Sequence, residues 1–159
     1  MEKEKVLEHL QDLCVKRECC SQDIRKKALA ALDGDSAAAD GVLASLTADR
    51  FVDDARYAAA FAREKSSLTG WGPAKIRYAL MMKGIAKPDI AAALEDIDSE
   101  AASSKMEKVI RAKFKVLRED PYVKFKLIKF ALARGYEYDA VSRVVEEILK
   151  ESAESGSDD

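Results

Sequence analysis

Asp53 and Asp54 stand side by side at the head of a helical pattern, and two neighbouring carboxylates can divide general acid and general base work. Adjacent helical positions, however, point about 100° apart, while an Asp at a helix start accepts from unpaired N–H groups and a second acid suits the positive helix end. Capping therefore explains the pair. His9 lies beside an apolar stripe with no nucleophile and acid grouped around it, and is read as a solvated or partly packed side chain. Cys14, Cys19 and Cys20 are an odd number in a chain without secretion signals, so reduced thiols are expected. His9, Cys14 and Cys19 would make a poor zinc set, because a spacing of five on a helix turns successive side chains by roughly 140° and no second ligand pair exists. Gly70-Trp71-Gly72-Pro73 has too few glycines for a phosphate loop and a proline where a donor would be needed. The chain is not expected to be an enzyme, and no metal or cofactor is expected.

The chemistry that remains is electrostatic. The formal net charge is -2, yet the stretch from Lys105 to Arg134 is dominated by Lys and Arg, with only Glu107, Glu119 and Asp120 as acids. Such a block suits phosphates or carboxylates on a partner. Arg56 and Arg63 are two helical turns apart and share a face; Lys75 and Arg77 flank Ile76, and Lys83 closes the same segment. These five are the first candidates for partner binding, and Lys105, Lys108, Arg111, Lys115 and Arg118 are the second. A solvated lysine face is the ordinary alternative, but basic faces recurring on successive units would form one extended surface, fit for an elongated partner. Trp71 either plugs a helix junction or stacks on a base.

The elements that must position these residues read as helices. Nearly half the 159 residues are hydrophobic and about a third charged, with seven Gly and three Pro, which favours an ordered helical chain. No segment approaches the ~18 apolar residues of a membrane span, and Met1-Glu-Lys-Glu-Lys leads into no signal-type hydrophobic region, so a cytoplasmic protein is expected. A first helix over about 4–18 carries Val6, Leu7, Leu10, Leu13 and Cys14 inward. Ser21 is the expected N-cap of a second, with Ile24, Ala28 and Ala31, and a third carries Val42, Leu43 and Leu46. The next unit has helices over about 53–68, 73–83 and 87–97, with Pro73 as a first helical residue and Ile76, Ala79 and Leu80 inward. In the third, a helix from Glu100 to Arg118 sets Met106, Val109, Ile110, Phe114, Val116 and Leu117 on one half and the basic residues on the other. Asp120-Pro121 opens a helix with Phe125, Ile128 and Leu132 on its inner face, and Asp139 to Lys150 closes the unit. Lys83-Gly84-Ile85 matches Arg134-Gly135-Tyr136, a base and a glycine before a hydrophobic residue; in the first unit the glycine, Gly34, is displaced. The expected boundaries are 1–50, 51–98 and 99–150 for three repeats, with 151–159 a frayed acidic tail.

The ordered set Phe51-Val52-Asp53-Asp54-Ala55-Arg56-Tyr57, Phe61, Trp71-Gly72-Pro73-Ala74-Lys75-Ile76-Arg77 and Lys83-Gly84-Ile85 resembles the RecX family, regulators of the bacterial recombinase RecA. Any one piece is common; the set in order is specific. The resemblance extends over most of the chain and implies an all-α fold of three tandem three-helix repeats forming an elongated, curved rod. It also implies binding to the RecA filament along its helical groove, restraining ATP hydrolysis and strand exchange in recombination and DNA repair. A helical repeat protein that binds single- or double-stranded DNA without reading sequence is the alternative, and a scaffold for some other protein the third reading. A monomer without membrane association is expected.

Overall fold

The computed structural model describes residues 2–156. Among them all regular structure is helical: α1 Lys3–Lys16, α2 Ser21–Ala31, α3 Ser36–Ala48, α4 Asp54–Glu64, a π-helical turn Lys65–Thr69, α5 Pro73–Met82, α6 Lys87–Glu95, α7 Ser99–Leu117, α8 Val123–Ala133 and α9 Tyr138–Gly156. None of these helices is long and apolar enough to cross a membrane. The chain divides into two compact units, residues 1–61 with 79–96 and residues 62–78 with 97–159.

In the first unit α1, α2 and α3 pack on one another. Val6 and Leu10 of α1, Ile24 and Ala28 of α2, and Ala39, Val42 and Leu46 of α3 share a core with Val52, while Leu7, Leu13, Cys14 and Leu43 pack at its edge. The stripes read from helical spacing are thus the buried ones. The start of α2 is a correction. Ser21 does not cap it; its backbone N–H is held by the Asp54 carboxylate at 2.8 Å. Asp53 caps its own helix, accepting from the Arg56 N–H at 3.1 Å. The two adjacent acids therefore serve two different helix ends.

In the second unit α7, α8 and α9 bury Met106, Ile110, Phe114, Leu127, Ala131, Tyr136, Val141, Val145 and Ile148 together. Asp98 caps α7 through the N–H groups of Glu100 and Ala101, and Asp120 accepts from the Tyr122 N–H at 2.8 Å just ahead of α8. Three expectations fail here. On α8 the core face carries Leu127 and Ala131 with Ile128 packed against it as expected, whereas Phe125 and Leu132 are exposed; on α7 Val116 is exposed as well. Helix α9 also runs past Lys150 to Gly156, where composition suggests a tail, with Glu151 tied to Arg111. Residues 157–159 of that expected tail lie outside the described residues.

The paired glycine turns share one backbone design. After α5, Gly84 has φ 73° and the Ile85 N–H reaches back to Leu80 O at 3.1 Å; after α8, Gly135 has φ 92° and the Tyr136 N–H reaches Ala131 O at 3.3 Å. After α2 the left-handed position falls on Asp33, φ 54°, and the equivalent long bond runs from Gly34 to Leu29 O at 2.8 Å. The displaced glycine is a one-residue shift of side chains over the same turn.

Candidate partner-binding surface

Two of the sequence-selected cations, Arg56 and Lys83, lie in the first unit, and both are engaged within it. The Arg56 guanidinium donates to Glu18 Oε1 at 2.7 Å and to the carbonyls of Arg50 and Phe51 at 3.0 and 3.4 Å. It thereby satisfies the loop around Arg50, a non-glycine residue held at φ 62°. Lys83 Nζ lies 2.9 and 3.2 Å from the two Asp23 oxygens. The hydrogen bond with Asp23 raises the Lys83 ammonium above its ordinary value. Burial pushes the Asp23 carboxyl up, but hydrogen bonds from Lys83 and Cys20, with the Lys83 charge, outweigh this and hold it below the usual value. These two cations brace the unit.

The second unit gathers its cations around the turn Thr69–Gly72. The N–H groups of Gly70 and Trp71 both donate to Lys65 O, which folds the chain back on the π-helical turn. Lys65 Nζ and Lys75 Nζ lie 4.8 and 4.5 Å from the Trp71 ring centroid, within cation–π range. The Arg134 guanidinium donates to the Gly70 carbonyl at 2.9 Å and to that of Thr69. A Cβ at Gly70 would fall 3.3 Å from Lys105 Cε and 2.8 Å from Val109 Cγ2, so α7 presses directly on this turn. Lys65, Lys75, Lys105 and Arg134 thus converge on the half-buried indole and its loop. Arg63 and Arg77, on the segments entering and leaving, are exposed.

Along α7, Lys108, Lys115 and Arg118 are exposed. Arg111 is not available in the same way: it pairs with Glu107 at 3.0 Å and, through both terminal nitrogens, with Glu151 at 2.9 and 3.2 Å. Those bonds raise the guanidinium above its ordinary value and lower the Glu151 carboxyl. Arg118 lies 5.5 Å over the Phe114 ring, and with Arg111, Lys115, Glu151 and Ser152 it borders a cleft of about 660 Å³. Lys65 and Arg134 are the residues that the sequence reading did not select. Arg134 had a signal in its match to Lys83; Lys65 had none, because its role depends on the π-helical turn. The arrangement offers positive charge and an aromatic plane on a rigid backbone, which suits binding to anionic groups.

Residues 53–94 match the family model described as the second three-helix domain of RecX. "Regulatory protein RecX" of Clostridium botulinum (strain Eklund 17B / Type B) is 38% identical over 103 residues, covering 62% of this chain and 48% of its own. The protein of that description from Pseudomonas putida (strain KT2440) is 33% identical over 101 residues, 63% of this chain and 64% of its own. The chain spans about half the length of the clostridial relatives first matched. A solved structure described as "Crystal structure of RecX from Lactobacillus salivarius" covers 91% of this chain and 95% of its own with a TM-score of 0.77 at 19% identity. Another, "Crystal structure of regulatory protein RecX", has a TM-score of 0.80 at 24% identity over 91% of this chain and 71% of its own. At these identities the structural likeness speaks for the all-helical fold.

Proposed function

This chain belongs to the RecX family, and from that premise we propose that it binds the filament that RecA forms on DNA and restrains the filament's ATP hydrolysis and strand exchange. The observation that carries the reading is the match over residues 53–94, which includes Arg63, Lys75, Arg77 and the Trp71 turn. In this reading the helix triplets at 1–50, 51–98 and 99–150 act as tandem repeats. Arg63, Lys75, Arg77, Lys105, Lys108, Lys115 and Arg118 meet acidic groups of the filament, while Arg56, Lys83 and Arg111 hold the scaffold. The protein works in the cytoplasm as a monomer. It is a regulator and not an enzyme.

Direct, sequence-independent DNA binding is the second reading, favoured by the exposed cations of α7. Titrating the protein into RecA turning over ATP on single-stranded DNA tests the first reading, and the expected result is progressive inhibition. Binding to one oligonucleotide with and without RecA on it separates the two, because a DNA-only binder holds the bare oligonucleotide at least as well as the filament. Reversal of Lys75 and Arg77 to Glu should weaken inhibition by about five- to a hundredfold. Equal inhibition by parent and variant removes this pair from the surface.

A further inference from the structure

Helix α8 buries Leu127 and Ala131 and turns a second apolar stripe outward. Tyr122 is 69% exposed, Phe125 67% and Leu132 42%. Phe125, the exposed Lys129 and Leu132 follow one another at intervals of four and three residues and form a single ridge on the side opposite the core, with Tyr122 at the N-cap just ahead of it. Large apolar side chains aligned in this way on a solvent face mark an interaction surface. The charge around the ridge restricts what can cover it. Helix α8 carries Lys124, Lys126 and Lys129 and no carboxylate, and Lys126 is held by Asp120.

We infer that this ridge inserts into an apolar groove bordered by carboxylates on a protein partner. A second copy of the chain would set lysines against lysines. Nucleic acid would need several cations along the contact, but Lys129 is the one cation on the stripe itself, against Tyr122, Phe125 and Leu132. A convex helical ridge with apolar anchors at these intervals has the form in which helices are received by protein grooves, and the lysines match an acidic rim. The inference rests on the RecA reading, which supplies the partner, and adds a contact separate from the Trp71 turn.

The test uses the full chain with the paired substitution Phe125→Ser and Leu132→Ser, and separately Lys129→Glu. Binding is measured to RecA filaments on oligo(dT) and to oligo(dT) alone, with sedimentation of the free protein. Because both positions are exposed, thermal unfolding of the paired variant should stay close to the parent's. The expected result is at least about a tenfold loss of filament affinity with unchanged binding to oligo(dT), and a smaller loss for Lys129→Glu. No filament binding by the parent overturns the RecA reading and this one with it. Binding by the parent that the paired variant matches overturns the ridge alone. An equal loss on oligo(dT) makes the ridge a nucleic-acid platform, and loss of self-association in the variant makes it a contact between copies; either result overturns the inference.

Discussion

Gly72 and Gly135 meet backbone to backbone. The Gly72 N–H donates to Arg134 O at 2.7 Å, the Ala74 N–H donates to Gly135 O at 3.1 Å, and a Cβ on Gly72 would lie 2.3 Å from the Gly135 carbonyl atoms. Gly135 is crowded in return, since a Cβ there would stand 2.5 Å from the backbone N and Cβ of Lys75, and its φ of 92° already disfavours any other residue. Gly72→Ala and Gly135→Ala should each cost more than about 2 kcal/mol, read from urea unfolding. A loss below about 0.5 kcal/mol would show that the two segments separate without consequence.

Phe114 and Phe125 form a matched pair for testing helix phase. Phe114 is 8% exposed inside the second core, and truncation to Ala should cost about 3 kcal/mol. Phe125→Ala, on the outward ridge, should change stability by less than about 0.5 kcal/mol. Comparable losses at the two positions would mean that α8 is rotated from the orientation described.

The Asp23–Lys83 pair gives stability a defined pH window. The Asp23 carboxyl sits below its ordinary 3.8 in the folded chain, so its contribution is present above that value and is lost as pH falls through the folded one. The Lys83 ammonium sits above its ordinary 10.5, so its contribution is present below that value and is lost as pH rises through the folded one. Asp23→Asn should therefore lower the melting temperature between these limits, and the gap to the parent should narrow on both sides. A gap that is constant from acid to alkali would assign the effect to packing.

Tyr136 presents the opposite case. Its hydroxyl is buried without a hydrogen-bond partner among the described residues, and burial pushes the phenol up. Tyr136→Phe keeps the ring in the core and removes the unsatisfied group, so it should be neutral or stabilising by up to about 1 kcal/mol. A clear loss would mean that the hydroxyl is satisfied in solution.

Much of the helical order was legible because polar and apolar residues alternate at the right period. Helix α7 shows this well: Met106, Ile110 and Phe114 are spaced by four and all are buried. Helix α8 was misread because Val123, Phe125, Leu127, Ile128, Phe130 and Leu132 leave no polar face to set the phase. The core took Leu127 with the small Ala131, a choice settled by neighbours and not by local pattern. The candidate site was legible as a set of charges but not as an arrangement. Arg56 meets Glu18 38 positions away, and Arg134 meets Gly70 64 positions away. Spacing reports what shares a helix face; it does not report which distant loop takes up a guanidinium.

The π-helical turn Lys65–Thr69 is wound one residue wider than an α-helical turn. Ser66 is buried within it, and the Ser67 hydroxyl donates back to Arg63 O at 2.7 Å, so the wide turn is packed and bonded in place. The segment therefore holds one residue more than an α-helical turn over about the same rotation. Removing a single residue would let the turn close to α-helical pitch, and because the tighter turn advances more per residue, the following indole would keep nearly its orientation to the helix that carries Arg63. A one-residue deletion here is thus absorbed by the change of pitch, whereas an added residue would have to be taken up by the cation-bearing turn that follows.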